Sequence, residues 1–273
     1  PSGYDLVALA MSEPQYGTEE IKGLLGRIAA AGVPCLSIMN MPPLPYLARI
    51  PGLDASGLTE AFNDPQVWDG FEPGLVTLCS PDPQAFRPPE TGGNVLHVGL
   101  PTNFKSAPFA DPAHTAMLRE LESAIEAVRV EGKDVPVKLR VYDSLFVPFA
   151  KWAMLLTGNY RCILEDGVQP IREAVHGDVA LAEEVYGQVA DLVIRLGAEP
   201  SDMVPFAKYA AAAEGLLKPS SAARAIDSGA TSIERVDKLV ALIAAQMGVT
   251  IPEVARISTV VDARLAGNLA RAA

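Results

Sequence analysis

The runs DLVALAM, residues 5–11, and VPCLSIM, residues 33–39, decide the fold of this chain. Both are almost wholly apolar, which is typical of strands buried on both faces of a parallel sheet. Between them, apolar residues recur at helical spacing from Ile21 to Ala29, and Gly32 ends the segment. Strand, helix and strand with short links form a crossover unit, so we expect two adjacent parallel strands.

The rest of the chain divides near residue 144. Before it, two short runs at residues 74–79 and 94–100 are interpreted as later, antiparallel strands of the same sheet, and a helix near 113–130 precedes a strand at 135–141. After it only helical periodicity is found, and helices are predicted near residues 146–165, 168–175, 179–197, 202–216, 232–248 and 252–271. We therefore predict an α/β fold, with a partial Rossmann-like parallel sheet in residues 1–144 followed by an all-α C-terminal domain in residues 145–273.

Composition restricts the function classes. The 273 residues carry a net charge of −11 with scattered basic residues, which argues against a nucleic-acid partner. No apolar run approaches about 18 residues, so no membrane-spanning helix is predicted. The three cysteines and three histidines are widely spaced, which predicts reduced thiols, a cytoplasmic location and no metal site. The chain begins with Pro1, not Met, and soon enters a hydrophobic strand, so we expect it to be part of a longer protein.

Polar residues follow both predicted strands, at the sheet edge where open α/β folds bind ligands. The turn Ser12–Gln15 follows the first strand, and Asn40 follows the second. Asn40 has two interpretations at this stage, as a turn residue or as a ligand contact.

Lys151 is the only charged residue between positions 145 and 156. An ammonium in such a run either extends to solvent along its apolar stem or is held in a cleft near an anionic partner. In the second case it can act as a general acid or stabilise a carbonyl oxygen that gains negative charge.

Two motifs in the helical half also have two interpretations each. Ser220 and Ser221 follow Pro219, so they either begin a helix or turn or bind a ligand. Glu234 ends the sequence Thr-Ser-Ile-Glu, which fits a helix capping box as well as it fits a catalytic carboxylate.

Taken in order, these segments resemble those of ketopantoate reductases, NADPH-dependent enzymes with a Rossmann domain and a helical C-terminal domain. Leu36–Asn40 resembles the apolar strand that ends in the family's active-site asparagine, although the usual glycine after it is Met41 here. Phe149–Trp152 resembles the family's Trp-x-Lys-Leu motif, so Lys151 falls on the catalytic lysine. The resemblance thus implies catalytic roles for Lys151 and Asn40.

Substrate contacts follow from the same resemblance. Asn159 matches one of two family asparagines, whereas the other falls on Leu155, so one polar contact is lost. Lys218–Ser221 resembles an Asn-x-Ser-Ser segment whose serine holds the substrate carboxylate. Asn159, Ser220 and Ser221 are therefore the substrate-binding candidates.

The resemblance also assigns a third catalytic residue and the cofactor contacts. Residues 229–237 resemble a Gly-Arg-x-Thr-Glu-Ile-Asp stretch, so Glu234 matches either the catalytic glutamate or the aspartate two places later. Ser12, Glu13 and Gln15 form the turn over the cofactor, with Ser12 where the family often has lysine.

The function implied is NADP-dependent reduction of a small 2-oxo acid or related carbonyl compound, by a protein expected to be a homodimer. However, GxGxxG, whose glycines let a pyrophosphate approach a helix N-terminus, occurs nowhere in the 273 residues. The resemblance implies that the N-terminal βαβ unit that carries it in the family would precede Pro1 and is absent from these residues. The alternative is a non-catalytic ligand-binding or oligomerisation remnant of that family.

Overall fold

A computed structural model describes residues 3–81, 85–86, 95, 97–98 and 102–272. Its strands are β1 (Val7–Leu9), β2 (Cys35–Ile38), β3 (Val76–Pro81), β4 (Ala85–Phe86), β5 (His97–Val98), β6 (Thr102–Ser106), β7 (Arg129–Val130), β8 (Lys133–Asp134) and β9 (Val137–Val141). Its α-helices are α1 (Glu13–Tyr16), α2 (Glu19–Ala31), α3 (Leu44–Leu47), α4 (Pro112–Ala127), α5 (Ala150–Met154), α6 (Ile171–His176), α7 (Val179–Arg195), α8 (Phe206–Ala213), α9 (Ser221–Asp227), α10 (Val236–Gln246) and α11 (Pro252–Ala272). Short 3₁₀-helices span Ala55–Ala61, Pro65–Trp68, Pro73–Leu75, Val147–Phe149 and Pro200–Asp202, and a π-helix spans Leu155–Asn159.

Five strands form the central sheet, in the order β1-β2-β3-β6-β9. β1 pairs in parallel with β2, with Val7 opposite Cys35, as the two apolar runs predicted. Gly32 ends the intervening helix in the left-handed region, at φ 62°, where a side chain would be strained. The predicted mixed fold, a mostly parallel sheet followed by helices, is confirmed.

Two strand predictions were wrong. Residues 74–79 were expected to be antiparallel in the sheet, but β3 pairs in parallel with β2 and only its other neighbour, β6, is antiparallel. Residues 94–100 lie partly outside the described ranges. Within them, His97 and Val98 form β5, which pairs with β4 in a separate two-stranded sheet. The missed strand is β6, whose sequence Thr-Asn-Phe-Lys-Ser alternates too weakly in hydrophobicity to stand out.

Beyond Val141, the regular secondary structure of the described chain is helical apart from an isolated bridge between Ile163 and Val168. The predicted helix over 146–165 is shorter and irregular, since a 3₁₀ turn, α5 and the π-helix follow one another and end at Asn159. The helix predicted from 232 begins only at Val236, and α9 was not predicted. Within the described ranges, no helix is long and apolar enough to cross a membrane.

The main hydrophobic core runs through both parts of the chain. One cluster of buried side chains extends from Leu9 in the sheet to Val261 in the last helix. A second cluster lies under α4, with Leu118 fully buried against the sheet residue Leu139. The division at residue 144 remains a prediction.

Candidate functional site

Three parallel strands end at one edge of the sheet. Because β1, β2 and β3 run in the same direction, the residues after them emerge side by side. These are the turn at Ser12, Asn40 and the last residue of β3, Pro81. This is the edge at which open α/β sheets bind ligands.

Lys151 reaches this edge from the helical half. Its Nζ donates a hydrogen bond of 2.6 Å to the carbonyl oxygen of Pro81, and the residue is half-buried. Since the carbonyl belongs to the carboxyl end of β3, the ammonium lies at the sheet edge where the sequence predicted ligand contacts. Because the residue is half-buried, its charge is only partly solvated.

Aromatic packing fixes the helix that carries Lys151. Phe149 stacks on Trp152, with ring centroids 4.1 Å apart and ring planes 12° apart. Tyr46, which follows β2, meets Phe149 edge-on at 5.9 Å and donates a 2.5 Å hydrogen bond to the carbonyl of Leu145. The start of this helix is therefore tied to the segment after Asn40, so one packed unit joins the segments of two of the three predicted catalytic residues, Lys151 and Asn40.

A π-turn separates Lys151 from Asn159. The N–H of Tyr160 bonds to the carbonyl of Leu155 at 2.9 Å, which is the i to i−5 pattern of a π-helix. Gly158 permits this turn to pack, because a Cβ there would overlap the hydroxyl of Tyr209. π-turns often occur at functional sites because they move a side chain out of helical register, here that of Asn159.

Glu234 meets the ends of the first two strands. Its Oε1 accepts a 3.3 Å hydrogen bond from the backbone N–H of Glu13, and Asn40 also hydrogen-bonds its carboxylate. Burial raises the pKa of Glu234 to about 7, and the charge of Glu13 adds to this, while the two hydrogen bonds lower it. Glu234 can therefore gain or lose a proton near neutral pH.

The helix-cap interpretation of Glu234 is wrong. The next helix begins at Val236 with Arg235 as its N-cap, so the Thr231–Glu234 sequence does not start it. The side chain instead contacts the backbone of Glu13, which lies 221 positions earlier in the chain, and the side chain of Asn40.

Tyr160 connects Glu234 to the π-turn. Its hydroxyl donates a 2.5 Å hydrogen bond to the carbonyl of Glu234 and accepts one of 3.1 Å from the N–H of Val236. Tyr160 is buried, and Asn159 precedes it directly. The backbone of Asn159 therefore lies close to the Glu234 segment, and the carboxyl edge, Glu234 and Asn159 belong to one region.

The two serines are placed differently from each other. Ser220 is buried, donates a 2.7 Å hydrogen bond to the carbonyl of Asn159 and accepts one of 3.1 Å from the N–H of Ala223 as the N-cap of α9. Ser221 is exposed at the first position of that helix. The Ser220 hydroxyl thus already has both a donor and an acceptor role, whereas the Ser221 hydroxyl faces solvent.

The predicted cofactor turn is a one-turn helix with a capping box. Ser12 and Gln15 are exposed, and the side chain of Gln15 accepts hydrogen bonds from the Ser12 backbone and hydroxyl. Glu13, by contrast, is buried, and burial raises its pKa. Its carboxylate accepts hydrogen bonds from the backbone N–H of Asn63, at 2.9 Å, and from the side-chain amide of that residue.

Asn40 carries an unsatisfied atom. Its Oδ1 is buried and has no hydrogen-bond partner among the described residues. Met41, in the place of the expected glycine, is fully buried in the core and anchors this turn. A buried acceptor without a partner is costly and is available to a donor on a ligand.

No protein-family model matches this chain, and no curated protein does. Solved structures do match. D-mandelate dehydrogenase with NADH and anilino(oxo)acetate superimposes with a TM-score of 0.64 at 13% identity, covering 97% of this chain and 78% of that one. A PanE/ApbA family ketopantoate reductase from Ralstonia eutropha JMP134 gives 0.63 at 14% identity, covering 98% and 78%. The dimeric ketopantoate reductase of Staphylococcus aureus gives 0.63 at 12% identity, covering 97% and 78%.

The fold is that of ketopantoate reductases. The structural resemblance expected from the sequence motifs is thus confirmed for almost the whole chain. The sequence identities are so low that the resemblance establishes the fold alone.

Sequence reasoning missed two residues of this region, Asn63 and Tyr160. Asn63 follows Phe62 in a connection rich in short turns, and no motif signals that it reaches Glu13. Tyr160 had a weak signal, since it stands next to Asn159 in an apolar helix that can bury a tyrosine only with a partner for its hydroxyl. In the described part of the chain, no group of three or more potential metal ligands comes together.

Proposed function

We propose that this protein is an NADP-dependent oxidoreductase that reduces a small 2-oxo acid or a related carbonyl compound. The observation that carries the proposal is the convergence of Lys151, Asn40 and Glu234 at the carboxyl edge of a sheet with the ketopantoate reductase fold. A cation and an amide can stabilise the negative charge that develops on a carbonyl oxygen, and a carboxyl group that titrates near neutral pH can transfer a proton.

The residues present fit the nicotinamide end of such a cofactor. The buried, unpartnered Oδ1 of Asn40 is an acceptor at the edge where the cofactor's carboxamide would donate, and Ser12 and Gln15 lie exposed beside it. The bound dinucleotide supplies the hydride. Because these 273 residues contain no GxGxxG turn, other groups would have to bind the phosphates of the cofactor.

The chain's own side chains would then act on the substrate. Lys151 faces the carbonyl oxygen, stabilises its developing charge and donates the proton that completes the alcohol. The Asn159 amide and the exposed Ser221 hydroxyl orient the carboxylate of the substrate. Ser220 positions Asn159 through its backbone.

A substitution of Lys151 tests this chemistry. In the full-length protein, Lys151→Ala is expected to lower turnover by about two to three orders of magnitude, the scale of removing one such donor. Affinity for NADPH should change little. Lys151→Met keeps most of the apolar stem, so an equal loss in both variants attributes the effect to charge.

The assay follows NADPH or NADH consumption by absorbance with a panel of 2-oxo acids. Lys208→Met, on an exposed position of α8, is the matched control and should retain full activity. A folded Lys151→Met protein with unchanged turnover would refute the assigned role.

The second candidate, a non-catalytic ligand-binding or oligomerisation remnant, is favoured by the absence of GxGxxG from the sequence. The same experiment separates the two candidates, because a remnant binds neither NADPH nor NADH. We further propose a homodimer in the cytoplasm, in line with the S. aureus protein, which is described as dimeric. Sedimentation of the purified protein tests the dimer.

A further inference from the structure

Glu13 is a buried carboxyl group that the mechanism above does not use. Only 2% of its surface is exposed, although it stands at the start of α1 beside the carboxyl edge of the sheet. Charged residues are almost never buried to this extent unless they are paired or hydrogen-bonded. The buried carboxyl group of Glu13 must therefore have partners that offset the cost of its burial.

Asn63 fixes the Glu13 carboxylate in one place. The backbone N–H of Asn63 donates to one carboxylate oxygen at 2.9 Å, and its side-chain amide donates to the other. The same amide also donates to the carbonyl of Ile233 at 3.3 Å. Asn63 thus clamps Glu13 against the segment that carries Glu234.

Glu13 holds Glu234 through its backbone as well. The N–H of Glu13 donates to Oε1 of Glu234 at 3.3 Å. Two carboxyl groups, from distant parts of the chain, therefore share one poorly solvated site, where both cannot ionise without mutual repulsion.

We propose that Glu13 is a positioning residue, which holds Glu234 at the sheet edge through its N–H and keeps a proton on it through the charge of its Asn63-bound carboxylate. The inference rests on the proposed function, in which Glu234 is one of the catalytic groups. It assigns Glu13 an inward-facing role in place of a contact between its side chain and the cofactor.

The other groups around Glu234 do not supply this effect. Tyr16 of α1 and Tyr160 have pKa values raised above their ordinary range, chiefly by burial, so both stay neutral. Arg235, the adjacent cation, is directed away, to Asp237 at 2.9 Å and to Asp262 at 2.6 Å. Glu13 is the carboxylate whose charge raises the pKa of Glu234.

The test is a carboxyl ¹³C NMR titration of glutamate-labelled protein without cofactor, with the Glu234 signal assigned by its loss in Glu234→Gln. Glu13→Gln keeps the shape of the side chain and an oxygen for Asn63 but removes the charge. It should lower the apparent pKa of Glu234 by about one unit, a tenfold change in proton affinity. An unchanged pKa would overturn the proposal.

Asp64→Asn is the matched control. Asp64 is the neighbouring carboxylate whose charge acts on Glu13, and it pairs with Lys22 at 2.7 Å. Removing its charge should leave the titration of Glu234 where it is. A shift as large as that of Glu13→Gln would show that any nearby negative charge has this effect on the pKa of Glu234, and would contradict the specific role of Glu13.

A measurement on the unmodified protein covers the case in which Glu13→Gln does not fold. Coupled carboxyl groups titrate in two steps that both signals report, whereas independent groups give two simple curves. Two simple curves would overturn the proposal.

Activity then separates this inference from the proposed function. If the protein reduces carbonyl compounds with Glu234 in its protonated form, the alkaline limb of its pH profile should move to lower pH in Glu13→Gln. If Glu13 and Glu234 titrate as a coupled pair but the protein shows no turnover, the proposed function is contradicted and the role of Glu13 stands. If the protein shows turnover but the two groups titrate independently, the role of Glu13 is contradicted and the proposed function stands.

Discussion

Replacing Glu234 by glutamine should make the stability of this protein less dependent on pH. Burial and the charge of Glu13 raise the pKa of Glu234 from 4.5 to about 7 in the folded state. Between those values the folded chain binds more protons than the unfolded chain, so the free energy of unfolding falls as pH rises. The contribution of Glu234 is thus most favourable in acid and is lost through pH 7.

The magnitude follows from the size of the shift. A shift from 4.5 to about 7 corresponds to about 3 kcal/mol at about 1.4 kcal/mol per pH unit. Glu234 is only half-buried, so solvent screens part of this effect. We therefore expect its contribution to the free energy of unfolding to change by about 2 kcal/mol between pH 5 and pH 8. The side chain introduced by Glu234→Gln does not titrate, so the variant should gain about this much relative to the unmodified protein as pH rises.

Urea unfolding at several pH values between 5 and 8 measures this difference. Trp68 and Trp152 are both buried and report the transition by fluorescence. Parallel stability curves for the two proteins over this range would refute the reasoning, because they would mean that Glu234 titrates alike in both states.

Glu253→Gln provides the control for that experiment. Burial alone would raise the pKa of Glu253, but hydrogen bonds and charges from Arg256 and Arg161 outweigh it and leave the pKa below 4.5. Glu253 is thus ionised in the folded state and mostly ionised in the unfolded state across the assay range. Its substitution should lower stability by an amount that varies little between pH 5 and pH 8.

Two further predictions concern positions around Asn159. Ser220→Ala removes the N-cap of α9 and should lower the free energy of unfolding by about 1 kcal/mol, whereas Ser221→Ala should change it by less than about 0.5 kcal/mol, both measured by urea unfolding. Equal effects would contradict the assignment of Ser220 as the cap. Gly158→Ala should destabilise the protein by more than about 1 kcal/mol, since its Cβ would overlap the Tyr209 hydroxyl. Gly187→Ala is its control, because it meets open space on α7 and should raise stability by about 0.5–1 kcal/mol. Similar melting temperatures for both alanine variants would show that the π-turn can relax.

Local pattern alone predicted the parts of this protein that depend on periodicity. The parallel pair β1–β2, Gly32 as the helix end and the succession of sheet and helices follow from the spacing of apolar residues. Such patterns are local because one buried face repeats every few residues. The resemblance to ketopantoate reductases, drawn from four short motifs, was likewise confirmed at the level of fold.

Only the tertiary structure decided which polar groups meet. In the sequence, Glu234 fits a helix cap as well as a catalytic carboxylate, and its contact with Glu13 excludes the cap. Asn63 carries no motif, yet it holds a carboxylate fifty positions away. The physical reason is that a buried carboxyl group needs partners from whichever segment folding places beside it. Sequence spacing cannot specify those partners, because they are brought together only when the helical half packs onto the sheet edge.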